Sequence, residues 1–390
     1  MSGFARRLAA RTLSAAARLL PPNLSSWSRA MARELMEIGD DRSALLFACG
    51  CLRAAAAVAV AARLGALRAI LFPPLPPAWS FTTMNGISAR PRLLGLLCGA
   101  GAVAMGMAYM FAAEAPFRYL LVNFAALVLG ATAWLVLGRT GSTRLAGAGV
   151  AALALSIPLL LTALFGIAAD GAARWVRVGP LSLQVSLIVL PAMIILYARR
   201  PDWAGTAGMI AAALALALQP DRAMAGVLAA ALLALLLTAP GRLPVLAAAA
   251  SILAFGWTLL TPDSLSASAF VDRILYTAFD VHPLAGGAVV VGAAALILPA
   301  VLGLWRGTGD RSALLAFGAC WSAVVAAAAL GNHPTPLVGY GGSAVLGYLL
   351  SVSLLPGGAR RAGALGVESP PAAGRDPDPT LPELRAAHPA

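Results

Sequence analysis

Ten long apolar runs follow one another between residues 93 and 355, and no water-soluble fold accommodates that pattern. They lie near 93–113, 119–137, 145–169, 183–198, 203–219, 222–238, 243–261, 284–304, 312–330 and 337–355. A helix crosses the ~30 Å hydrocarbon core with about 20 apolar residues, so most runs have the length of one crossing. Composition agrees: 60% of the 390 residues are hydrophobic and 11% charged, less than half the charge of a soluble domain (about a quarter). The apolar content excludes disorder over most of the chain, and four Cys are too few for a disulfide-stapled secreted scaffold. The expected fold class is an all-α integral membrane protein, a ten-span helical bundle.

The net charge of +12 comes from Arg alone, since the chain has no Lys. Coding bias explains an Arg- and Ala-rich chain, and no nucleic-acid partner is expected. Arg placement does inform topology. With residue 90 inside, the inner connections carry Arg139, Arg144, Arg199, Arg200, Arg242, Arg306, Arg311, Arg360 and Arg361. The outer ones carry Arg118, Arg174, Arg177, Arg222 and Arg273. The inward excess predicts a multi-pass protein with both termini cytoplasmic.

Residues 1–43 read as a cytoplasmic helical module, with too many Arg for a signal peptide. Residues 44–72 are apolar, but Arg42, Arg53, Arg63 and Arg68 fall within an arc of about 140° at 100° per residue. That basic face suits a helix lying in the membrane interface, with an extra span as the alternative. The Pro-rich run 72–79 ends the element, so 44–78 forms one unit with its linker. The tail, 357–390, is rich in Pro, Gly and charge and is expected to be disordered.

Four outer connections carry the polar residues. Gly171–Ser186 presents Arg174, Trp175 and Arg177, either an anion site or an interfacial anchor. Gln219-Pro220-Asp221 sits between two short runs, where its side chains either satisfy backbone groups freed by the proline or serve a site. The loop 262–283 holds Asp263, Asp272, Arg273, Asp280 and His282. Residues Gly331–Ser343 combine two prolines with Gly341-Gly342 beside Tyr340, implying irregular backbone that lines a cavity. Together they predict one polar cavity open to the outer face. His282 and His333 read as solvated loop residues, with contact to a ligand or metal as the alternative, and no Zn, P-loop or dinucleotide motif is present.

These residues carry a resemblance. ARWVRVGPLSLQVS, the QPD between short runs and PTPLVGYGGS before the last run are similar to three motifs of the SEDS (shape, elongation, division and sporulation) family. That family reads ARRW-I-x-LGPFSFQPSE, LLLQPDLG and PLPFxSYGGSS in the same order. The resemblance covers roughly residues 90–356 and implies a ten-span bundle of the SEDS type with an extra N-terminal module. A fourth stretch, VDRILYTAFDVHPLAG, aligns so that Asp272 falls on the family's essential acid and Asp280 on the first of a Glu pair.

The resemblance implies a glycosyltransferase that polymerises lipid II, the undecaprenyl-linked disaccharide-pentapeptide, into peptidoglycan strands for division or cell shape. Its expected partners are lipid II, membrane lipids and a membrane-anchored transpeptidase, a class B penicillin-binding protein. Asp272 would be the catalytic base. Arg174, Trp175, Gln184, Ser186, Gln219, Asp221, Asp280, Pro336, Tyr340, Gly341, Gly342 and Ser343 would bind substrate. The pyrophosphate charge would be met by Arg174, more weakly by Arg177 and Arg273, or by a divalent cation. No cofactor is otherwise implied. The chain departs from the motifs at Ala173, Val185, Leu187, Val189, Gly339 and Ala344. The motif's Glu and Lys, replaced by Leu187 and Val189, would be a charged pair removed as a unit. The alternatives are a non-catalytic scaffold or regulator of envelope growth, and a flippase for lipid-linked sugars.

Overall fold

The computed structural model describes residues 2–21, 24–71, 90–139, 147–169, 172–261, 266–307 and 309–356. The Pro-rich linker, Asp263, Arg144 and the tail lie outside the described residues.

Three helices come first: α1 (Ser2–Leu19), α2 (Ser25–Glu37) and α3 (Asp41–Leu71). They share a small core of their own in which Ala9 and Leu13 of α1 meet Ala44, Ala48 and Cys51 of α3. In α3 the stretch Asp41–Arg63 is long and apolar enough to cross a membrane.

The bundle follows: α4 (Pro91–Ala112), α5 (Phe117–Arg139), α6 (Ala148–Phe165), α7 (Val185–Arg199), α8 (Trp203–Leu218), α9 (Arg222–Leu236), α10 (Arg242–Leu260), α11 (Ile274–Val281), α12 (Pro283–Ala295), α13 (Leu298–Trp305), α14 (Arg311–Leu330) and α15 (Gly342–Ser353). Helices α4, α5, α6, α10 and α14 have span length. Run 284–304 is two helices, α12 and α13, bent by 46° at a short break. Pro299, in the first turn of α13, cannot continue the ladder of α12 and accounts for the bend.

The remaining four expected spans differ. Helices α7, α8, α9 and α15 have 15, 16, 15 and 12 residues, or roughly 18–24 Å at 1.5 Å per residue. They are short of a full crossing. Two causes are visible. Gln219-Pro220-Asp221 breaks the chain between α8 and α9, with Asp221 accepting from the N–H of Met224 at 3.2 Å as the N-cap of α9. Upstream of α7 the chain is extended rather than helical.

That extended stretch is a three-stranded antiparallel sheet: β1 (Ile167–Ala169), β2 (Ala172–Val178) and β3 (Leu181–Gln184), in order β1-β2-β3. The expected span 145–169 therefore ends as helix at Phe165, and its last residues form a strand. Val178 pairs with Leu181 across a two-residue turn. Gly179 holds φ +58° there, the positive φ that such a hairpin needs at its first central position.

Helix α7 is the hub, packing against α6, α8, α9, α14 and α15. Small residues permit the close approaches: a Cβ on Gly347 would lie 1.9 Å from the Leu187 carbonyl oxygen. Large apolar side chains are instead exposed on α5 (Leu121, Phe124, Leu129) and α10 (Leu253, Trp257, Leu260). Such a surface needs lipid around it. The chain is an all-α multi-pass membrane protein.

Candidate functional site

The loop before α11 and the turn before α15 are laced together by backbone bonds. Tyr340 donates its N–H to the carbonyl of Phe270 at 2.6 Å, and Thr335 donates to that of Val271 at 2.9 Å. Asp272 and Pro334 form an isolated antiparallel bridge. Phe270, Arg273 and Leu337 hold φ of +62°, +60° and +62°, a left-handed region that non-glycine residues seldom occupy and that the surrounding bonds must maintain.

Helix α5 fixes the turn from the other side. Asn123 is fully buried; its amide donates to the Gly339 carbonyl at 2.8 Å and accepts from the Gly341 N–H at 3.1 Å. Tyr340, between those two glycines, stacks on Tyr119 with ring centroids 3.9 Å apart. Tyr119 meets Phe270 edge-on at 6.1 Å.

Between these loops and the sheet lies a cleft of about 530 Å³, lined among others by Arg174, Trp175, Gln184, Asp272, Tyr340 and Ser343. Gly341 and Gly342 also line it. Asp272 is half-buried, and its Oδ2 accepts from the Ser268 N–H at 2.8 Å. Burial pushes its carboxyl above the ordinary value, while that bond pulls the other way. Arg174 is 4% exposed and donates to the carbonyl of Pro220, which makes it a buried cation and not a snorkelling anchor. Ser343 accepts from the Gln184 N–H at 3.0 Å, joining β3 to α15. Among the described residues two buried polar atoms on the lining, Gln184 Oε1 and Thr335 Oγ1, have no protein partner and can receive a ligand's donors or hydroxyls.

Five expected substrate contacts stand elsewhere. Asp221 is fully buried behind the cleft, where Oδ2 accepts from Ser186 Oγ at 3.0 Å and Gln184 Nε2 at 3.2 Å. With its bond to Met224, the carboxylate is occupied by the fold. Ser186 belongs to the same network. Gln219 is buried and donates to the Leu159 carbonyl at 2.7 Å, so it secures the helix break. Pro336 is buried within the turn, and its carbonyl accepts from Val338 at 2.7 Å. Asp280 is exposed in the last turn of α11, off the lining. Arg273 is exposed and also off it, whereas Arg177 lines the cleft.

His333, expected to be solvated, is 4% exposed and lines the cleft with Asp272, as does Asn332. Leu187, where the motif has Glu, is buried and lines it too; Val189 packs against the core. Apolar side chains thus fill both positions of the missing pair. Among the described residues no three His, Cys, Asp or Glu gather as metal ligands; the cations on the lining are Arg174 and Arg177.

No protein-family model matches the chain, and no curated protein matches it in sequence. Solved structures do match. The rod shape determining protein RodA of Thermus thermophilus superposes with TM-score 0.51 at 22% identity, over 67% of this chain and 93% of RodA. A RodA mutant with Asp replaced by Ala gives TM-score 0.50 at 22% identity, over 67% and 94%. The fold is SEDS-like. The likeness to RodA covers about two thirds of the chain and concerns architecture.

Proposed function

We propose that the chain is a divergent SEDS-type peptidoglycan glycosyltransferase that polymerises lipid II. One observation carries the reading: Asp272 shares a cleft with Arg174 and with the Tyr340–Ser343 turn, although these residues come from three distant parts of the sequence. A carboxylate, a buried cation and a polar wall suit glycosyl transfer between lipid-linked sugars. Asp272 takes the proton of the acceptor hydroxyl, whose oxygen bonds to the donor's anomeric carbon as the bond to undecaprenyl pyrophosphate breaks. Arg174, helped by Arg177, offsets the charge on the departing pyrophosphate. A divalent cation would share that role. The polyprenyl chain stays in lipid. In this reading the cleft faces the outside of a bacterial inner membrane, both termini are cytoplasmic, and a class B penicillin-binding protein is the transpeptidase partner.

The test is polymerisation of labelled lipid II by the purified full chain with a transpeptidase. Wild type should yield glycan, and Asp272→Asn should not. The second reading, a scaffold, is favoured by the apolar Leu187 and Val189. A wild type that makes no polymer beside a competent partner supports it. Accelerated movement of labelled lipid across liposomes, without polymer, would point to a flippase.

A further inference from the structure

The α1–α3 unit has a surface that the glycan reaction does not use. Arg6, near the start of α1, lies 3.8 Å from Asp41 at the start of α3 and donates to the carbonyl of Ile38. From that shared origin α1 packs along α3, with Ala9, Leu13 and Ala16 on the buried face. The two helices therefore run parallel. Twelve residues on, α1 reaches Arg18 and α3 reaches Arg53, both exposed. At 1.5 Å per residue both stand about 18 Å from the start. If α3 crossed the bilayer from Asp41, two arginines on opposite outer faces of the pair would stand at one depth near mid-membrane. Each disfavours that position about a hundredfold on insertion scales.

The outer face of α1 suits a different placement. The helix carries four Arg and no acid. At 100° per residue Arg7, Arg11 and Arg18 fall within about 40° of one another, and all three are exposed. The adjacent strip holds Phe4, Leu8, Ala15 and Leu19, exposed as well. The acids Glu34, Glu37, Asp40 and Asp41 lie on α2 and at its junction with α3, off this face. A basic stripe beside an apolar one is the pattern of a helix lying among headgroups.

We propose that α1 docks on anionic phospholipid headgroups and that α3, paired with it, lies in the interface instead of crossing the bilayer. Arg7, Arg11 and Arg18 bind lipid phosphates, and the strip from Phe4 to Leu19 enters the upper acyl region.

The test uses the full chain in nanodiscs, with its four native cysteines replaced and a bimane on Ala15→Cys. Nitroxide lipids labelled near the headgroup should quench the fluorophore in discs containing phosphatidylglycerol, and phosphatidylcholine alone should give little quenching. Replacing Arg7, Arg11 and Arg18 by Gln should lower the docked-to-free ratio roughly 100-fold, since each charge near an anionic surface is worth about a factor of five. Replacement of the same three by Lys should restore docking, which separates charge from folding. Quenching by chain-end nitroxides would overturn the proposal by placing α1 inside the bilayer. Headgroup quenching indifferent to lipid charge, or none in either disc, would also overturn it.

Discussion

Asn123 bonds both peptide groups that flank Tyr340, donating to Gly339 at 2.8 Å and accepting from Gly341 at 3.1 Å. One buried amide thus sets the position of a turn 216 residues away. That turn is bonded to the backbone at Phe270 and Val271, next to Asp272. Replacing Asn123 by Leu leaves a carbonyl and an N–H without partners, each costing about 1–3 kcal/mol. The variant should melt several degrees lower and lose polymerisation, although Asn123 itself does not line the cleft. Thermal unfolding in detergent together with the glycan assay checks both; unchanged activity would detach the turn from the site.

Asp272 makes a pH-dependent prediction. Burial raises its carboxyl above the ordinary value, so the folded protein holds that proton more tightly than the unfolded chain. The resulting stabilisation is complete below the ordinary carboxylate range and is lost as pH rises through the raised value. At neutral pH the ionised group opposes folding. Asp272→Asn should therefore match or exceed the wild-type melting temperature there, and its advantage should shrink toward about pH 4. The same shift moves the acid limb of wild-type polymerisation to a pH above that of an ordinary carboxylate. A variant less stable than wild type at neutral pH would refute the assignment of a destabilising charge.

Removing the Asp221 side chain has the opposite effect on stability. Its carboxylate caps α9 and accepts from Ser186 and Gln184. Asp221→Ala removes a cap worth about 1 kcal/mol and leaves two buried donors with reduced bonding, at about 1–3 kcal/mol each. The expected result is a marked fall in melting temperature, with KM for lipid II in the remaining folded enzyme near the wild-type value. A raised KM at unchanged stability would return Asp221 to the substrate site.

Gly339 stands where the family motif has Ser. A Cβ there would lie 2.6 Å from Ile274 Cδ1 and 3.0 Å from the Thr335 carbonyl oxygen. Restoring the motif by Gly339→Ser should therefore destabilise the protein, and Ile274→Val in the same chain should recover part of the loss. Melting of the two single variants and the double variant provides the comparison; additive effects would mean the contact is not shared.

Much of this architecture is legible in the amino-acid order. The apolar runs mark the bundle helices, and the break between α8 and α9 falls at Gln219-Pro220-Asp221, between the two runs that flank it. Aspartates 202, 221 and 310 cap α8, α9 and α14, where Asp commonly starts a helix. The polar outer connections place Asp272 and the Tyr340 turn at one cavity, but the backbone bonds that lace them together leave no local pattern, being made across some 60 residues. Asn123 left no such trace: a lone amide in an apolar run does not name its partner. The strands at 167–184 are hidden because Ile167–Ala169 continues the apolar run of α6. His333 reads as a loop residue because nothing in its local sequence signals its burial.

The most direct test separates binding from chemistry at Asp272. Lipid II affinity and the polymerisation rate should be measured on purified wild type and Asp272→Asn under the same conditions. If Asp272 is the base, affinity stays within a few-fold while the rate falls by about 10²–10⁴, the usual contribution of one positioned group. A rate that survives the substitution, or affinity and rate falling by equal factors, would contradict that role.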